Sequence, residues 1–181
     1  MQTTRGIVLR VIRHSDSRII VSLFTEHYGM LSAGVRLTRG GRTGGRSALW
    51  QMLNVVEMSV DYRPASELQK ISDVSISTPW MDLPYSPVKA SISMFLGEFL
   101  FRSLRGEGEN RPLFSFLYNS LRWLDEAEGN VANFHVLLMI RMTRFLGIWP
   151  GMAGYGRNMV YDMKNACFSA SIPVHGQYLE P

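Results

Sequence analysis

Arginine is the residue type in this sequence with the clearest chemical potential, and it is concentrated near the N-terminus. Residues 36–46 contain four arginines and four glycines but no carboxylate. Residues 1–46 contain eight arginines against two acids, Asp16 and Glu26, although the net charge of the whole chain is only +4. Guanidinium groups bind phosphate through paired hydrogen bonds and stack on planar rings. This asymmetry favours a polyanionic partner. The candidate contacts are Arg5, Arg10, Arg13, Arg18, Arg36, Arg39, Arg42 and Arg46.

The glycine-rich segment permits three interpretations. Residues 40–47 come close to the phosphate-binding pattern G-x-x-x-x-G-K-[ST], but Arg46 replaces the lysine and the following residues alternate like a strand. A nucleotide site is therefore disfavoured, because that site needs a helix N-terminus next to the phosphates. A flexible linker without further function is the second interpretation. The third is a basic arm that conforms to a nucleic-acid backbone, with Arg10, Arg13 and Arg18 continuing its track on two strands.

Residue types suited to catalysis or metal binding are present but are not grouped. His14, Ser15 and Asp16 are consecutive, whereas a catalytic triad depends on a spatial arrangement. The four histidines share no metal-ligand spacing, and Cys167 is the only cysteine, so no disulfide or cysteine cluster is predicted. We therefore expect a protein that is not an enzyme and that has no metal site or cofactor.

Five segments with the character of β-strands precede residue 79. They alternate apolar and polar residues or are rich in β-branched residues, and they cover 4–13, 18–25, 30–37, 51–62 and 67–76. Five short strands with turns between them predict an oligonucleotide/oligosaccharide-binding (OB) barrel over residues 1–78. Tyr28, Trp50 and Tyr62 lie near the basic residues and are candidates to stack on bases.

Helical patterns follow a proline-rich linker at 79–84. Ser86 and Pro87 predict the start of a helix that runs to about residue 105, and Pro112 that of a second helix ending at Gly129. A third helix at 131–146 is apolar on more than one face, which predicts a central, buried helix. The sequence thus predicts an α+β protein with a helical domain at 85–150. A small hairpin near 160–169 lies within the remainder, 151–181.

The order of several short motifs resembles the RecO family of bacterial recombination mediators. They begin with Thr4-Arg-Gly-Ile-Val-Leu, Asp16-x-x-Ile19-x-Val21-x-x-Phe24-Thr25 and Gly29-x-Leu31, and the basic segment follows. Phe145-Leu-Gly-Ile-Trp-Pro is similar to the end of the family's helix before its zinc-ribbon-like insert. The resemblance implies binding of single- and double-stranded DNA, strand annealing, and loading of RecA with RecR and single-stranded-DNA-binding protein.

Two features depart from the family pattern. Its zinc cysteines would fall between about 151 and 170, where Cys167 is the only cysteine, so we expect a metal-free hairpin held by packing. The family also continues with further helices, so we expect a C-terminally truncated chain, and contact with single-stranded-DNA-binding protein depends on those helices. The absence of a signal region and of about 20 consecutive apolar residues predicts a cytoplasmic, nucleoid-associated protein. A protein-interaction module with an incidental basic loop is the alternative.

Overall fold

The computed structural model describes residues 2–37, 48–149, 151 and 154–181. The chain has an α+β fold with two compact units, Met1–His135 and Val136–Pro181. The first contains a five-stranded antiparallel sheet and two long helices, and the second contains a three-stranded sheet. No helix in the described part of the chain has the length and apolar character needed to cross a membrane. The α+β class predicted from the sequence is confirmed.

The five strands pair in the order β3-β2-β1-β4-β5, and every pair is antiparallel. Their bounds are β1 Gln2–Ser15, β2 Arg18–Thr25, β3 Gly29–Arg36, β4 Val55–Asp61 and β5 Lys70–Thr78. Alternate residues on one side of these strands form the core because strand side chains point to opposite faces in turn. Val8, Val21, Leu23, Met58 and Val60 belong to this core and are at most 1% exposed.

The sheet curls until its two edge strands touch, but it does not close. β3 and β5 meet at one isolated parallel bridge between Ala33 and Gln69, where the Gln69 amide donates to the Ser32 carbonyl at 2.8 Å. Asp73 lies in a bulge of β5, where its backbone is left-handed (φ 52°), and none of the β5 side chains is fully buried. The predicted barrel is therefore corrected to an open, OB-like sheet, as the OB fold is itself only partly closed.

The largest difference in strand bounds lies before β4. The predicted strand at 51–62 begins only at Val55, because Ala48–Trp50 form a 3₁₀ turn. This turn places the Trp50 ring in the core, where it is 6% exposed. Leu53 then takes a left-handed backbone (φ 63°), and its amide donates to the Val8 carbonyl at 2.7 Å. Local turn geometry thus displaces the start of the strand.

Two helices cover one end of the sheet, on the side opposite to the core. These are α1, Pro87–Ser103, and α2, Arg111–Glu126, and both have a proline in the first turn. The side chain of Asn110 caps α2 by accepting from the Leu113 amide at 3.1 Å. Phe114 of α2 packs on Phe24 of β2, with ring centroids 6.3 Å apart, and both rings are fully buried.

The third helix, α3, spans Phe134–Met142, which is shorter than the predicted 131–146. Leu138 and Met142 are buried, whereas Val136, Leu137 and Ile140 are 41–51% exposed. The prediction of a central, buried helix is therefore wrong for these residues. When a helix is apolar on all sides, its sequence does not show which face packs against the rest of the protein.

The segment between β5 and α1 is held by a buried polar network. The Asp125 carboxylate accepts from the amides of Met81, Asp82 and Leu83 at 2.7–2.9 Å. The ammonium of Lys89 donates to the carbonyls of Asp125 and Ala127 and forms an ion pair with Asp82 at 2.7 Å. Burial raises the pKa of Asp125, but the three amides and the Lys89 charge outweigh it and leave that pKa below its ordinary value. The network fixes α1 and α2 to the strand that precedes them.

The second unit contains the predicted hairpin and one further strand. β6 is Val160–Asp162, β7 is Cys167–Ser169 and β8 is Tyr178–Leu179, and they pair in the order β7-β6-β8. Phe168 packs edge-on against Tyr155 and Tyr161, with ring centroids 5.0 and 5.1 Å away. Aromatic contacts of this kind stabilise a sheet that is too small to form a core of its own.

Candidate nucleic-acid interface

The first three strands present a surface on the side opposite to the core, and we call this surface the outer face. Directly opposed residues in an antiparallel pair point to the same side of the sheet. Three rows of such residues cross β1, β2 and β3. The rows are Arg10–Ser22–Ser32, Ile12–Ile20–Gly34 and Ser15–Arg18–Arg36. Phe24 lies further along the same side of β2, where α2 covers it, so the helices cover one end of the face and leave the arginine end exposed.

Arg18 and Arg36 are direct cross-strand partners at this exposed end. Both are exposed, and in the described ranges no carboxylate forms an ion pair with either. Like charges directly opposite each other destabilise a sheet, by up to about 1 kcal/mol. The fold therefore places two arginines side by side on neighbouring strands, at a cost that a bound anion would relieve.

The middle of the outer face is open and partly apolar. A side chain built at Gly34 would meet no heavy atom within 4 Å. Ile12, in the same row, is 44% exposed. The hydroxyl oxygens of Ser22 and Ser32 lie 3.2 Å apart in the next row. Apolar contact area between arginines suits a partner that has both phosphates and apolar rings.

Arg10 lies at the border between the open and the covered ends of the face. The Cζ atom of its guanidinium is 4.8 Å from the centroid of the Phe101 ring, on α1. A cation–π contact uses the flat face of the guanidinium and leaves its N–H groups available for hydrogen bonds. Arg13 is exposed as well, but it opposes Ile19 and therefore points to the other side of the β1–β2 ribbon. The outer face thus combines Arg10, Arg18 and Arg36, and Arg13 is separate.

Arg5 has a different environment. Its Nε and Nη2 atoms each donate to one carboxylate oxygen of Glu26, both at 3.0 Å, and its Cζ lies 5.5 and 5.1 Å from the rings of Phe114 and Tyr118. The hydrogen bond to Glu26 raises the pKa of Arg5, and the same bond lowers the pKa of Glu26. The guanidinium is therefore engaged within the fold, and a nucleic-acid contact by Arg5 stays a prediction.

The remaining predicted contacts and base-stacking candidates differ in what the structure says of them. Arg39, Arg42 and Arg46 lie outside the described residues and stay predictions. Trp50 is wrong as a stacking candidate because its ring is buried in the core. Tyr28 and Tyr62 stack on each other, with centroids 4.6 Å apart, and Tyr62 remains 45% exposed.

Three features of the interface escaped the sequence analysis. Ile12 had a usable signal, because it alternates in step with Arg10 on the polar side of the predicted strand and is nevertheless apolar. Nothing in the sequence indicated Phe101, because its contact with Arg10 depends on how α1 packs. The third is a cleft of about 410 Å³ beside Arg36, in the opening between β3 and β5, with Trp50 and Asp73 among its lining residues.

The residues of the second unit do not fit a zinc ion. A structural zinc site needs four Cys or His ligands in a tetrahedral arrangement. Across 2–37, 48–149, 151 and 154–181, no three His, Cys, Asp or Glu side chains are grouped so as to hold a metal. Cys167 is a half-buried free thiol, and His175 is engaged with Asp162.

Comparison with known proteins gives matches along most of the chain. Residues 1–80 match the family model described as Recombination protein O N terminal, and residues 84–153 match Recombination protein O C terminal. The chain is 42% identical over 181 residues to the DNA repair protein RecO of Phocaeicola vulgatus. The aligned region covers 100% of this chain and 75% of the relative. The chain is 40% identical over 182 residues to the RecO protein of Bacteroides fragilis, with the same coverage. The RecO protein of Azobacteroides pseudotrichonymphae is 30% identical over 97% of the chain and 73% of its own length.

Proposed function

The chain belongs to the RecO family, and from this premise we propose that it is a recombination mediator in DNA repair that binds DNA through its outer face. The bound species would be single- and double-stranded DNA. Arg10, Arg18 and Arg36 supply the contacts on the face, and Arg13, on the other side of the β1–β2 ribbon, is proposed as a separate contact. Arg39, Arg42 and Arg46 are proposed to extend the contact along the segment that follows β3.

The observation that carries this proposal is the cross-strand pair of Arg18 and Arg36, neither of which has a carboxylate partner among the described residues. Like charges on directly opposed strand residues repel each other, an anion bound to both relieves the repulsion, and phosphate oxygens accept paired hydrogen bonds from guanidinium groups. The open position at Gly34 and the exposed Ile12 leave room for a sugar or base next to that phosphate.

The proposed mechanism is electrostatic and involves no covalent chemistry. Each arginine that neutralises a phosphate releases a condensed counterion, so the logarithm of the affinity falls with the logarithm of the salt concentration, with a slope of about −0.7 per phosphate on single strands and about −0.9 on duplex DNA. Two strands whose charge is neutralised on one surface can approach and pair, which is annealing. Cooperation with RecR to load RecA completes the proposed role, and contact with single-stranded-DNA-binding protein stays a prediction that depends on the family's further helices.

A protein-interaction module is the alternative, and exposed apolar residues on α1 favour it. Val88, Met94 and Phe95 are 54%, 70% and 46% exposed. If docking of a protein were the whole function, binding to an oligonucleotide would be weak and would not depend on the outer-face arginines. The salt dependence of DNA binding therefore separates the two functions.

The test is a salt titration of binding to a fluorescent single-stranded oligonucleotide. We expect the double variant Arg18→Ala/Arg36→Ala to reduce the magnitude of the log–log slope by about 1.4, since two phosphate contacts are lost. The matched control is Arg102→Ala/Arg122→Ala, which removes the same charge from helical residues that are paired with Glu98 and Glu126. Equal slopes for the two double variants would place the DNA contact elsewhere.

A second variant tests the segment that follows β3. Replacing Arg36, Arg39, Arg42 and Arg46 together by alanine should flatten the slope further than the Arg18/Arg36 pair does, because four phosphate contacts would be lost. A slope equal to that of Arg36→Ala alone would mean that Arg39, Arg42 and Arg46 make no contact with phosphate.

A further inference from the structure

One carboxylate lies at the centre of the small sheet in the second unit. Asp162 is the last residue of the central strand β6, where it opposes Cys167 of β7 and Tyr178 of β8. It is 5% exposed, although a lone carboxylate strongly prefers water. A buried carboxylate in a sheet of eight strand residues requires compensating donors.

Donors from both connections of the sheet meet at this carboxylate. The amides of Lys164 and Asn165, in the turn between β6 and β7, donate to Oδ1 at 2.9 and 3.0 Å, and the Asn165 side chain donates to Oδ2 at 2.8 Å. Nε2 of His175, in the segment before β8, lies 3.1 Å from Oδ1. Asp162 thereby ties the β6–β7 turn to the segment that leads into β8.

The hydrogen bonds of His175 define which ring nitrogen accepts and which one donates. The Gln177 amide donates to Nδ1 of His175 at 3.1 Å, so Nδ1 must carry a lone pair. The proton of a neutral imidazole then lies on Nε2, which faces Asp162. Both ring nitrogens are thus used within the sheet, and neither is available to a metal ion.

We propose that the Asp162 carboxylate takes the place of a structural metal ion in this sheet and makes the fold of the second unit independent of metal. A structural zinc ion joins chain segments that are too short to form a core. Here a single anion joins the same kinds of segments through four donors, and hydrogen bonds to a charged acceptor are about twice as strong as neutral ones. The same donors, with the Asn165 amide first among them, hold the pKa of Asp162 at about 2, which agrees with a carboxylate that stays ionised.

The test is amide hydrogen exchange on the full chain, read at Lys164, Asn165 and Gln177. In Asp162→Asn the carboxylate loses its charge and presents an NH₂ group to the donors, so the Lys164 and Asn165 amides should exchange about tenfold faster or more. In His175→Ala the Gln177 amide should become fast, while Lys164 and Asn165 keep most of their protection. The control is Glu180→Gln, which removes the same charge from an exposed side chain of the same unit.

Chelation provides the second arm of the experiment. Treatment with EDTA should leave the exchange of all three amides unchanged, and metal analysis of the purified chain should find no stoichiometric zinc. The proposal is overturned if Lys164 and Asn165 exchange equally fast in the wild type and in Asp162→Asn. It is also overturned if EDTA removes one zinc per chain and accelerates their exchange. If Asp162→Asn does not fold while Glu180→Gln does, the EDTA arm on the wild-type chain still decides, because protection at Lys164 and Asn165 that depends on zinc would overturn the proposal.

Discussion

Arginines on the outer face of the sheet and arginines on the helices differ in their neighbours. On α1 and α2, Arg102 and Arg122 form ion pairs with Glu98 and Glu126 at 2.6 and 3.0 Å. A helix places residues four apart on one face, so a glutamate at that spacing is within reach. On the sheet the nearest neighbour is the cross-strand partner, and for Arg18 that partner is another arginine.

This difference separates charge that serves the fold from charge that remains available to a ligand. Exposed helical pairs each contribute between zero and about 1 kcal/mol and satisfy the guanidinium groups within the chain. The outer-face arginines have no such partner among the described residues and impose repulsion on the fold. Arg5 lies on the same strand as Arg10 but belongs with the paired group, because Glu26 occupies its guanidinium. The position of an arginine in the sequence is therefore a poor guide to its role.

The largest expected effect on stability comes from Asp125, the buried carboxylate of the helical region. Asp125→Asn removes the negative charge beside Lys89, which keeps its ion pair with Asp82, and replaces one of the two acceptor oxygens with an NH₂ group. At least one of the three amides then loses its acceptor and the others lose a charged one, which should cost about 3 kcal/mol. For a chain of this size the melting temperature should then fall by about 6–12 °C. Circular dichroism during heating measures the change, and the exposed Glu128→Gln is the charge-matched control. A melting temperature equal to that of the control would show that this network is not what holds the helices.

Arg5→Ala should have the second largest effect on stability, because it removes a paired hydrogen bond and two ring contacts. We expect a loss of about 1–2 kcal/mol in the free energy of unfolding. The salt slope of DNA binding should stay unchanged, in contrast to Arg18→Ala/Arg36→Ala. If the magnitude of the salt slope falls by about 0.7 for Arg5→Ala, Arg5 contacts DNA and does not belong with the arginines that are paired within the fold.

Acid should weaken the same ion pair. The pKa of Glu26 is lower in the folded chain than its ordinary value, mainly through the hydrogen bond from Arg5. Its stabilisation is therefore present above the ordinary pKa of glutamate and is lost as the pH falls through the folded pKa. We expect the melting temperature of Glu26→Gln to lie below that of the wild type at pH 7 and to converge with it toward pH 3. A constant difference in melting temperature across this pH range would mean that protonation of Glu26 is not coupled to folding.

The smallest effect should have the opposite sign. Arg36→Glu replaces the repulsive pair with Arg18 by an attractive one, so the free energy of unfolding should rise by about 0.5 kcal/mol, or about 1–2 °C in melting temperature. DNA affinity should fall at the same time. Arg102→Glu is the mirror control, because it creates a like-charge pair with Glu98 and should lower stability. A loss of stability in Arg36→Glu would mean that Arg36 supports the fold.

Much of this fold could be predicted from the sequence because strand patterns are local. The alternation of Ile7 and Leu9, and the β-branched residues of β2, gave the strands and their order along the chain. The late start of β4 could not be foreseen, since it depends on the left-handed backbone of Leu53 and on its bond to Val8. The open edge of the sheet likewise depends on the bulge at Asp73, and aspartate tolerates a left-handed backbone without requiring it, so its residue type alone does not predict that conformation.

The sequence by itself determined that the N-terminal segment is strongly cationic, that strands precede helices, and that a cluster of cysteines is absent, since Cys167 is the only one. These are matters of composition and of short-range pattern. Only the tertiary structure decided which arginines are satisfied, because Arg5 finds Glu26 across 21 residues and Arg18 meets Arg36 through the β2–β3 register. Charges interact through space over a few ångströms, and the fold alone decides which of them become neighbours.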